Sequence, residues 1–244
     1  MHDWLVPDWP APANIRAVST TRTGGLSSGP YASLNLGDHV GDDPARVQGN
    51  RQIVAEALDL PSPPHWLQQV HGCRVLECGM QHENAQADAA TASVPGQVCA
   101  VLTADCLPLL LCNSAGSCVA AVHAGWRGLA AGVIEAALDR FDDPGSAMLA
   151  WMGPAIGPAA FEVGDEVRQH FLLADAECEP AFLPGQGGRW LADIYRLARI
   201  RLAARGVGFV GGGDCCTVLE PERFFSYRRD GVTGRMASLI WIEN

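Results

Sequence analysis

Residues 98–128 read VCAVLTADCLPLLLCNSAGSCVAAVHAGWRG, and the rest of the chain is organised around them. Its three apolar runs, separated by short polar corners, predict three buried strands, and the spacing that follows predicts an amphipathic helix over 128–141. Cys106 lies at the corner after the first strand, and His123 lies at the end of the third. The stretch therefore predicts a thiol and an imidazole at the ends of buried strands, an unusual arrangement for packing alone.

The flanking sequence predicts further strands and helices without regular alternation between them. Strands are expected over 14–21, 147–152, 207–210 and 235–242, strand-like structure over 65–76, and helices over 44–58, 162–173 and 190–205. The polar, alanine-rich segment 82–93 is expected to be a surface excursion, and the glycines at 211–213 a loop. No repeat or composition break divides the chain, which favours one α+β domain over 1–244 rather than a doubly wound parallel sheet.

Composition excludes several classes of function. The net charge of −10 argues against a nucleic-acid or acidic-membrane partner. All 17 basic residues are arginine, which excludes a Walker A loop, a Schiff-base lysine and a lysine general base. There is no apolar run of the roughly 20 residues that a membrane span needs, and the first residues lack the pattern of a signal peptide. A cytoplasmic location is therefore expected.

The cysteine pattern points away from disulfides. Nine cysteines, an odd number, in a chain without an export signal do not suggest a disulfide framework. Five of them are expected to be small core residues: Cys73, Cys99, Cys112, Cys118 and Cys178.

Three predicted loops each follow a strand and carry a side chain that can bind a metal. They supply His71, Cys106 and His123. Two imidazoles and a thiolate are ligands that zinc accepts, and three protein ligands with one open position are typical of a catalytic zinc site. The spacing is not that of a zinc finger, so buried residues with structural partners remain an alternative.

A metal-free interpretation uses the same atoms. Cys106 and His123 can form a thiolate–imidazolium pair with the cysteine as nucleophile. The predicted helix start at 125–128 then favours a bound anion beside His123. Asp105 either orients the imidazole or a substrate hydroxyl, or it caps the turn.

Arginines in glycine-rich loops suggest anion binding, because such positions suit bidentate contacts to phosphate or carboxylate. A structural salt bridge is an equal alternative for each. The residues in question are Arg22, Arg127, Arg228, Arg229 and Arg235.

Taken together, the loops resemble those of a known family. The matching motifs are TTRTGGLS at 20–27, SLNLG at 33–37, QVHG at 69–72, TADCLP at 103–108, HAGWRG at 123–128, GPAIG at 153–157 and FSYRRDG at 225–231. They resemble, in order, those of the YfiH-like family, variously named polyphenol oxidase (laccase domain), peptidoglycan editing factor and purine nucleoside phosphorylase.

The resemblance implies a single-domain, layered α/β/β/α fold similar to that of some cysteine hydrolases. It also implies a metal, usually zinc with copper possible, held by two histidines and a cysteine. Carried over by motif, these ligands fall on His71, Cys106 and His123. Substrate or phosphate contacts are expected from Arg22, Asn35, Asp105, Arg127 and Arg229.

The resemblance further implies an enzyme that cleaves adenosine, inosine and 5′-methylthioadenosine with phosphate to the base and ribose 1-phosphate, accompanied by adenosine deamination. The expected partners are thus a purine nucleoside and phosphate, in a monomer or homodimer. Three alternatives stay open: a copper-dependent polyphenol oxidase, a cysteine hydrolase acting in peptidoglycan editing, and a non-catalytic metal-binding module.

Overall fold

The computed structural model describes residues 2–79 and 86–243, and these ranges contain strands and helices in mixed order. The strands are β1 Ile15–Ser19, β2 Val75–Glu77, β3 Ala89–Ala92, β4 Val98–Thr103, β5 Leu107–Asn113, β6 Val119–Ala124, β7 Met148–Met152, β8 Glu162–Val163, β9 Phe182–Pro184, β10 Trp190–Ala192, β11 Phe209–Gly212 and β12 Met236–Ile242. The helices are α1 Pro44–Ala57, α2 Trp126–Ala131, α3 Val133–Leu138, α4 Asp165–Ala174, α5 Ile194–Ala204 and α6 Tyr227–Asp230.

The strands form three sheets. The largest has six strands in the order β11-β7-β5-β6-β3-β2, in which the β11–β7 and β2–β3 pairs are parallel and the others antiparallel. A three-stranded sheet has the order β1-β12-β4 and is antiparallel. A small sheet, β8-β10-β9, completes the set. The mixture of sheets and helices confirms the α+β prediction.

Side-chain alternation along β5 shows how the layers stack. Leu107, Leu109 and Leu111 face helices α3 to α5, whereas Leu110 and Cys112 face the three-stranded sheet. This is the two-residue period of a strand that is covered on both faces. Val54 of α1 covers the other face of the three-stranded sheet. The order is therefore helix, three-stranded sheet, six-stranded sheet, helices, which confirms the layered architecture that the resemblance implies.

One sequence prediction was wrong in a way that matters for the site. Residues 89–92, assigned above to a surface excursion, form the fully buried strand β3 between β2 and β6. Because its side chains are small and partly polar, the sequence predicted that this segment is exposed and has little regular structure. In the fold, the small size of these side chains allows β3 to lie buried inside the six-stranded sheet. Residues 82–85 of that predicted excursion lie outside the described residues.

The other differences concern element ends. The helix predicted over 128–141 begins at Trp126 and is divided at Gly132, whose φ of 93° is left-handed. The predicted helices over 162–173 and 190–205 begin later, because their first residues pair as strands β8 and β10. Of the strand-like stretch 65–76, only residues 75 and 76 belong to a named strand, β2. The first two residues of the loop expected at 211–213 belong to strand β11. Cys73, expected to be a core residue, is exposed.

Candidate metal centre

Cys106 lies on the connection that carries the chain from β4 in one sheet to β5 in the other. Asp105 precedes it with a φ of 96°, and both of its carboxylate oxygens have partners. Oδ1 accepts a hydrogen bond from the Thr217 hydroxyl at 2.6 Å, and Oδ2 accepts one from the Arg228 backbone N–H at 2.6 Å. These contacts fix the corner that presents the Cys106 thiol, so Asp105 does more than cap a turn.

His123 comes from β6, where it pairs with Pro108 of β5 and is 3% exposed. Its Nδ1 lies 2.8 Å from Asp88 Oδ1, which leaves Nε2 as the ring nitrogen available to a ligand. A metal-binding histidine commonly donates its other ring N–H to a carboxylate, which fixes the tautomer and the ring orientation. Asp88 and His123 have this arrangement.

The same carboxylate positions His71. Asp88 Oδ1 accepts from the His71 backbone N–H at 2.8 Å, and Oδ2 accepts from Gly72 N at 2.7 Å and Val70 N at 3.2 Å. His71 has a positive φ of 61°, a conformation that a non-glycine residue adopts rarely. One buried aspartate thus orients the loop of the first histidine and the ring of the second.

The sequence patterns above do not single out Asp88, although it organises the site. It stands directly before β3, the strand that was predicted to be a surface excursion. The sequence signal that marks it is a single acid between alanines, directly before the run AATA at 89–92. A buried carboxylate next to such a strand requires partners.

The structure brings the three predicted ligands together. One potential ligand atom from each of His71, Cys106 and His123 lies within 4.8 Å of the others. Cys106 Sγ is 3.7 Å from His71 Nε2, and the two imidazole rings meet edge to face at 75°. Two imidazoles and a thiol are a donor set that zinc and copper both accept. The cluster therefore fits a metal ion held by three protein ligands.

Electrostatics favour the charged forms of the thiol and of the buried imidazole. Burial alone raises the pKa of Cys106, but the charge of His123 and hydrogen bonds from His123 and His71 outweigh it and lower the pKa to about 6. Burial lowers the pKa of His123, yet the Cys106 charge and the hydrogen bond to Asp88 raise it to about 9. A thiolate poised at neutral pH suits both a metal ligand and a nucleophile.

In the metal-free protein we expect the alkylation rate of Cys106 to rise with pH through a midpoint of about 6 and to level off above it. The thiolate is the reactive form, and a lowered pKa keeps it populated down to that pH. Iodoacetamide labelling followed by mass spectrometry at residue 106 measures this. Cys112, whose pKa burial raises to about 12, is the internal control and should stay unlabelled. A midpoint near the ordinary 9.0 would contradict the thiolate assignment.

Gly125 is required by the close approach of the ligands. A Cβ atom at this position would lie 2.9 Å from Cys106 Sγ and 2.9 Å from His71 Cδ2. Neither atom can retreat without moving a predicted ligand. The glycine of the HAGWRG motif therefore leaves room for the cluster.

A Gly125→Ala variant is expected to bind metal about 10- to 100-fold more weakly, because overpacking costs about 1–3 kcal/mol. Competition with a chromogenic zinc chelator measures the affinity. Gly72→Ala is the matched control, since a Cβ there would meet Asp88 Oδ2 at 3.5 Å, an ordinary contact distance. Equal affinities for the two variants would show that the cluster does not need the space at Gly125.

The cluster opens into a cavity of about 500 Å³. Its apolar wall includes Trp126, Ile156, Phe161 and Ile194. Its polar lining is His39, Gln69, Thr103, Asp105, Arg127, Tyr227, Arg228 and Arg235, beside the three predicted ligands. A cavity of this size with a few convergent polar groups is typical of a small-molecule site.

The structure brings two of the five predicted substrate residues, Asp105 and Arg127, to this cavity. Asn35 is fully buried. Its Nδ2 donates to the Gly37 carbonyl and to Asp42, and its Oδ1 accepts from the backbone N–H groups of Gly37 and Arg235. Arg22 donates to the carbonyls of Ala32 and Pro221 and does not line the cavity.

Arg229 also lies away from the cavity. It donates to the carbonyls of Thr217, Val218 and Phe224 and pairs with Asp230. Arg228 and Arg235, which belong to the same group of loop arginines, do line the cavity. Both also donate to backbone carbonyls, so their different placement follows from the tertiary path of the chain rather than from carbonyl contacts.

Comparisons with known proteins agree with this architecture. Residues 16–243 match the model of a family described as multi-copper polyphenol oxidoreductase laccase. A purine nucleoside phosphorylase of Pseudomonas aeruginosa is 55% identical over 245 residues, covering 100% of both chains. The purine nucleoside phosphorylase YfiH of Escherichia coli is 56% identical over 243 residues, covering 99% of this chain and 100% of the relative.

Solved structures agree as well. A crystal structure of a Neisseria meningitidis protein has a TM-score of 0.94 and 49% identity, covering 99% of this chain and 100% of that one. The structure of YlmD from Geobacillus stearothermophilus has a TM-score of 0.89 and 32% identity, covering 99% and 96%.

Fold and cluster together define a layered α/β/β/α protein with a potential metal site in a cavity at the junction of two sheets. The chain belongs to the multi-copper polyphenol oxidoreductase laccase family, the YfiH-like family that its motifs resemble. Within the described residues, none of the helices has the length and apolar character needed to cross a membrane.

Proposed function

We propose that the protein is a zinc-dependent purine nucleoside phosphorylase. It cleaves adenosine, inosine and 5′-methylthioadenosine with phosphate to the base and ribose 1-phosphate, and it deaminates adenosine as a side activity. The observation that carries the proposal is the His71, Cys106 and His123 cluster at the wall of a cavity that arginines also line. The names of the relatives support the purine nucleoside phosphorylase activity.

The donor set supports zinc as the resident metal. Zinc binds imidazole and thiolate together, and a site with three protein ligands leaves a fourth position for substrate or water. When bound, zinc supplies a Lewis acid and lowers the pKa of a coordinated water toward neutrality. His71, Cys106 and His123 would hold it, and Asp88 would keep His123 in the tautomer that offers Nε2.

The residues around the cluster can bind and orient both substrates. Trp126, Ile156 and Phe161 offer an apolar wall for a flat purine and exclude water from it. Phosphorolysis requires an anion near the breaking glycosidic bond and stabilisation of the developing charge. Arg127, Arg228 and Arg235 line the same cavity and carry the charge for this task.

Incubation of zinc-loaded protein with adenosine and inorganic phosphate tests the proposal. Adenine and ribose 1-phosphate, separated by liquid chromatography, are the expected products, and omission of phosphate should abolish both. Inosine detected in the phosphate-free sample measures the deaminase activity. No product above a Cys106→Ala control would refute the function.

A copper-dependent polyphenol oxidase is the second candidate, favoured by the description of the family model. Four-electron reduction of oxygen requires more than one copper. Within residues 2–79 and 86–243, only one group of histidine, cysteine or acidic side chains is placed to hold a metal. It is the cluster of His71, Cys106 and His123. Oxygen consumption with a phenol that rises in proportion to bound copper would favour this alternative.

A metal-free cysteine hydrolase acting in peptidoglycan editing is the third candidate. The lowered pKa of Cys106 beside His123 favours it. A thiol alkylator would then abolish activity while a zinc chelator would not. Metal binding without any bound nucleoside would instead favour a non-catalytic module.

We also propose that residues 1–244 act as one catalytic domain, as a cytoplasmic monomer or homodimer without a nucleic-acid or membrane partner. The net charge of −10 supports the absence of a nucleic-acid or membrane partner, because the protein as a whole would repel the phosphates of a nucleic-acid backbone or an acidic membrane surface. Light scattering of the purified protein measures the oligomeric state.

A further inference from the structure

Three arginines give the cavity a positive character that the chain as a whole lacks. Arg127, Arg228 and Arg235 line it, and Asp105 is the one carboxylate among the residues that line this cavity. Both oxygens of Asp105 already accept hydrogen bonds. The chain carries a net charge of −10, so a cavity with an excess of cations focuses an attraction for anions at one place.

None of the three arginines forms an ion pair with a carboxylate among the residues that the structure describes. The salt bridges within residues 2–79 and 86–243 involve other arginines, such as Arg229 with Asp230 and Arg201 with Glu135. Arginine in a protein is always charged, so an arginine without an acidic partner is available to bind an anion. The three guanidinium charges of the lining thus outnumber its one carboxylate, Asp105.

Arg235 is the least exposed of the three arginines, and its guanidinium is held by the backbone. Its Nη1 donates to the carbonyls of Thr233 at 3.1 Å and Gly234 at 3.0 Å, which fixes the guanidinium. Its Nε and Nη2 have no hydrogen-bond partner in the described part of the chain. These two nitrogens form one edge of the guanidinium, which is the geometry that binds two oxygens of a phosphate at once.

The neighbourhood of Arg235 is built to hold it there. A Cβ at Gly37 would lie 2.8 Å from Arg235 Cγ, so the glycine makes room for the side chain. Arg235 lines the same cavity as Cys106 and Asp105, which places its guanidinium on the wall that also carries the metal cluster.

The other two arginines offer donors from different directions. The Arg127 guanidinium lies 4.3 Å from the ring of Trp126 and makes no hydrogen bond or ion pair within the described residues. Arg228 uses Nη1 on the carbonyls of Ala160 and Glu162 and leaves its Nε and Nη2 unpaired there. Helix α2 is only six residues long, so the binding of an anion rests on these side chains rather than on its helix N-terminus.

We propose that Arg235, with Arg127 and Arg228, forms a subsite for an inorganic phosphate dianion beside the metal cluster. Arg235 binds two oxygens of the anion through its Nε–Nη2 edge, and the two exposed arginines close over it. The identity of the anion as phosphate rests on the proposed function. The subsite replaces Arg22 and Arg229, which the structure places elsewhere.

Calorimetric titration of zinc-loaded protein with inorganic phosphate tests the subsite without relying on turnover. Arg235→Gln is expected to weaken phosphate binding about 10- to 100-fold, the usual range for loss of a charge-assisted bidentate contact. Arg235→Lys keeps the charge but lacks the Nε–Nη2 edge, so its affinity for phosphate should lie between those of wild type and Arg235→Gln. Arg16→Gln, at an exposed residue outside the cavity, is the charge-matched control and should bind phosphate like wild type.

A kinetic arm separates this subsite from a purely structural role. Arg235→Gln should raise the KM for phosphate by the same factor while the KM for adenosine changes less than about threefold. Arg127→Gln provides a second variant, because an exposed arginine without hydrogen bonds can be removed without unfolding the protein. If both variants bind phosphate as tightly as wild type, the subsite is refuted.

The failure of the subsite and the failure of the function have different signatures. Wild-type phosphorolysis with an unchanged phosphate KM in Arg235→Gln and Arg127→Gln would overturn the subsite alone. Phosphate binding that is lost in these variants, in a protein that cleaves no nucleoside, would support the subsite and overturn the phosphorylase activity.

Discussion

A Cys106→Ser variant is expected to lose the proposed zinc ion and at least about 1,000-fold of the proposed phosphorylase activity. The serine hydroxyl is not ionised at neutral pH, whereas the neighbouring imidazoles keep the Cys106 thiol charged. A bound metal stabilises the transition state by several kcal/mol, and about 4 kcal/mol corresponds to that factor in rate. Elemental analysis after gel filtration and an assay of adenine release measure both effects.

Cys73→Ser is the matched control, because Cys73 is exposed and close in sequence to His71 without belonging to the cluster. It should retain full metal content and rate. A Cys106→Ser protein that keeps stoichiometric zinc and wild-type activity would remove this cysteine from the ligand set. Zinc retained together with complete loss of activity would instead identify Cys106 as a nucleophile.

An Asp88→Asn variant is expected to bind metal about 10- to 100-fold more weakly and to lose about 2–4 kcal/mol of unfolding free energy in the metal-free state. The carboxylate accepts hydrogen bonds from three successive backbone N–H groups and from His123 Nδ1. An amide of the same shape has one acceptor oxygen, so its NH₂ group must face a backbone donor. Zinc competition and urea unfolding measure the two losses.

Asp8→Asn is the control for the change in charge, since Asp8 is exposed and lies away from the cavity. It should leave metal affinity and stability unaltered. The two losses in Asp88→Asn should also differ in origin. The metal-free protein loses stability because the loop at 70–72 is released, and the metal affinity falls because His123 loses the carboxylate that orients its ring. Wild-type stability together with wild-type zinc affinity would show that Asp88 is not needed to orient the two histidines.

The site could be predicted where strand ends are visible in the sequence. Long apolar runs locate β4, β5 and β6, and the reactive residue of each predicted corner then falls at a strand end. Sequence order cannot show that β4 and β6 belong to different sheets. The pairing of Pro108 in β5 with His123 in β6 is what brings the Cys106 corner beside His123.

The prediction failed where burial is achieved by small side chains. The segment Ala89–Ala92 has no large apolar residue, so its hydrophobic signal is weak although all four residues are buried. Because this strand was not predicted, Asp88, which directly precedes it, was not recognised as a site residue. Short strands such as β8 and β10 were absorbed into predicted helices because two or three residues cannot establish a period.

The arginines show a different limit. Five loop positions looked equivalent in sequence, and Arg22, Arg228, Arg229 and Arg235 all donate to backbone carbonyls, yet of the five only Arg127, Arg228 and Arg235 line the cavity. The path of the chain around each arginine decides where its guanidinium lies. Local sequence contains no information on that path.

The position of Cys106 directly before β5 has a consequence for folding. Pro108 of β5 pairs with His123 of β6, and Asp88, directly before β3, holds the backbone of the His71 loop, so the three predicted ligands meet once β3, β5 and β6 have paired in the six-stranded sheet. A metal ion bound by the cluster would join the His71 loop to the paired ends of β5 and β6. Binding of the ion would therefore favour the folded sheet over the unfolded chain.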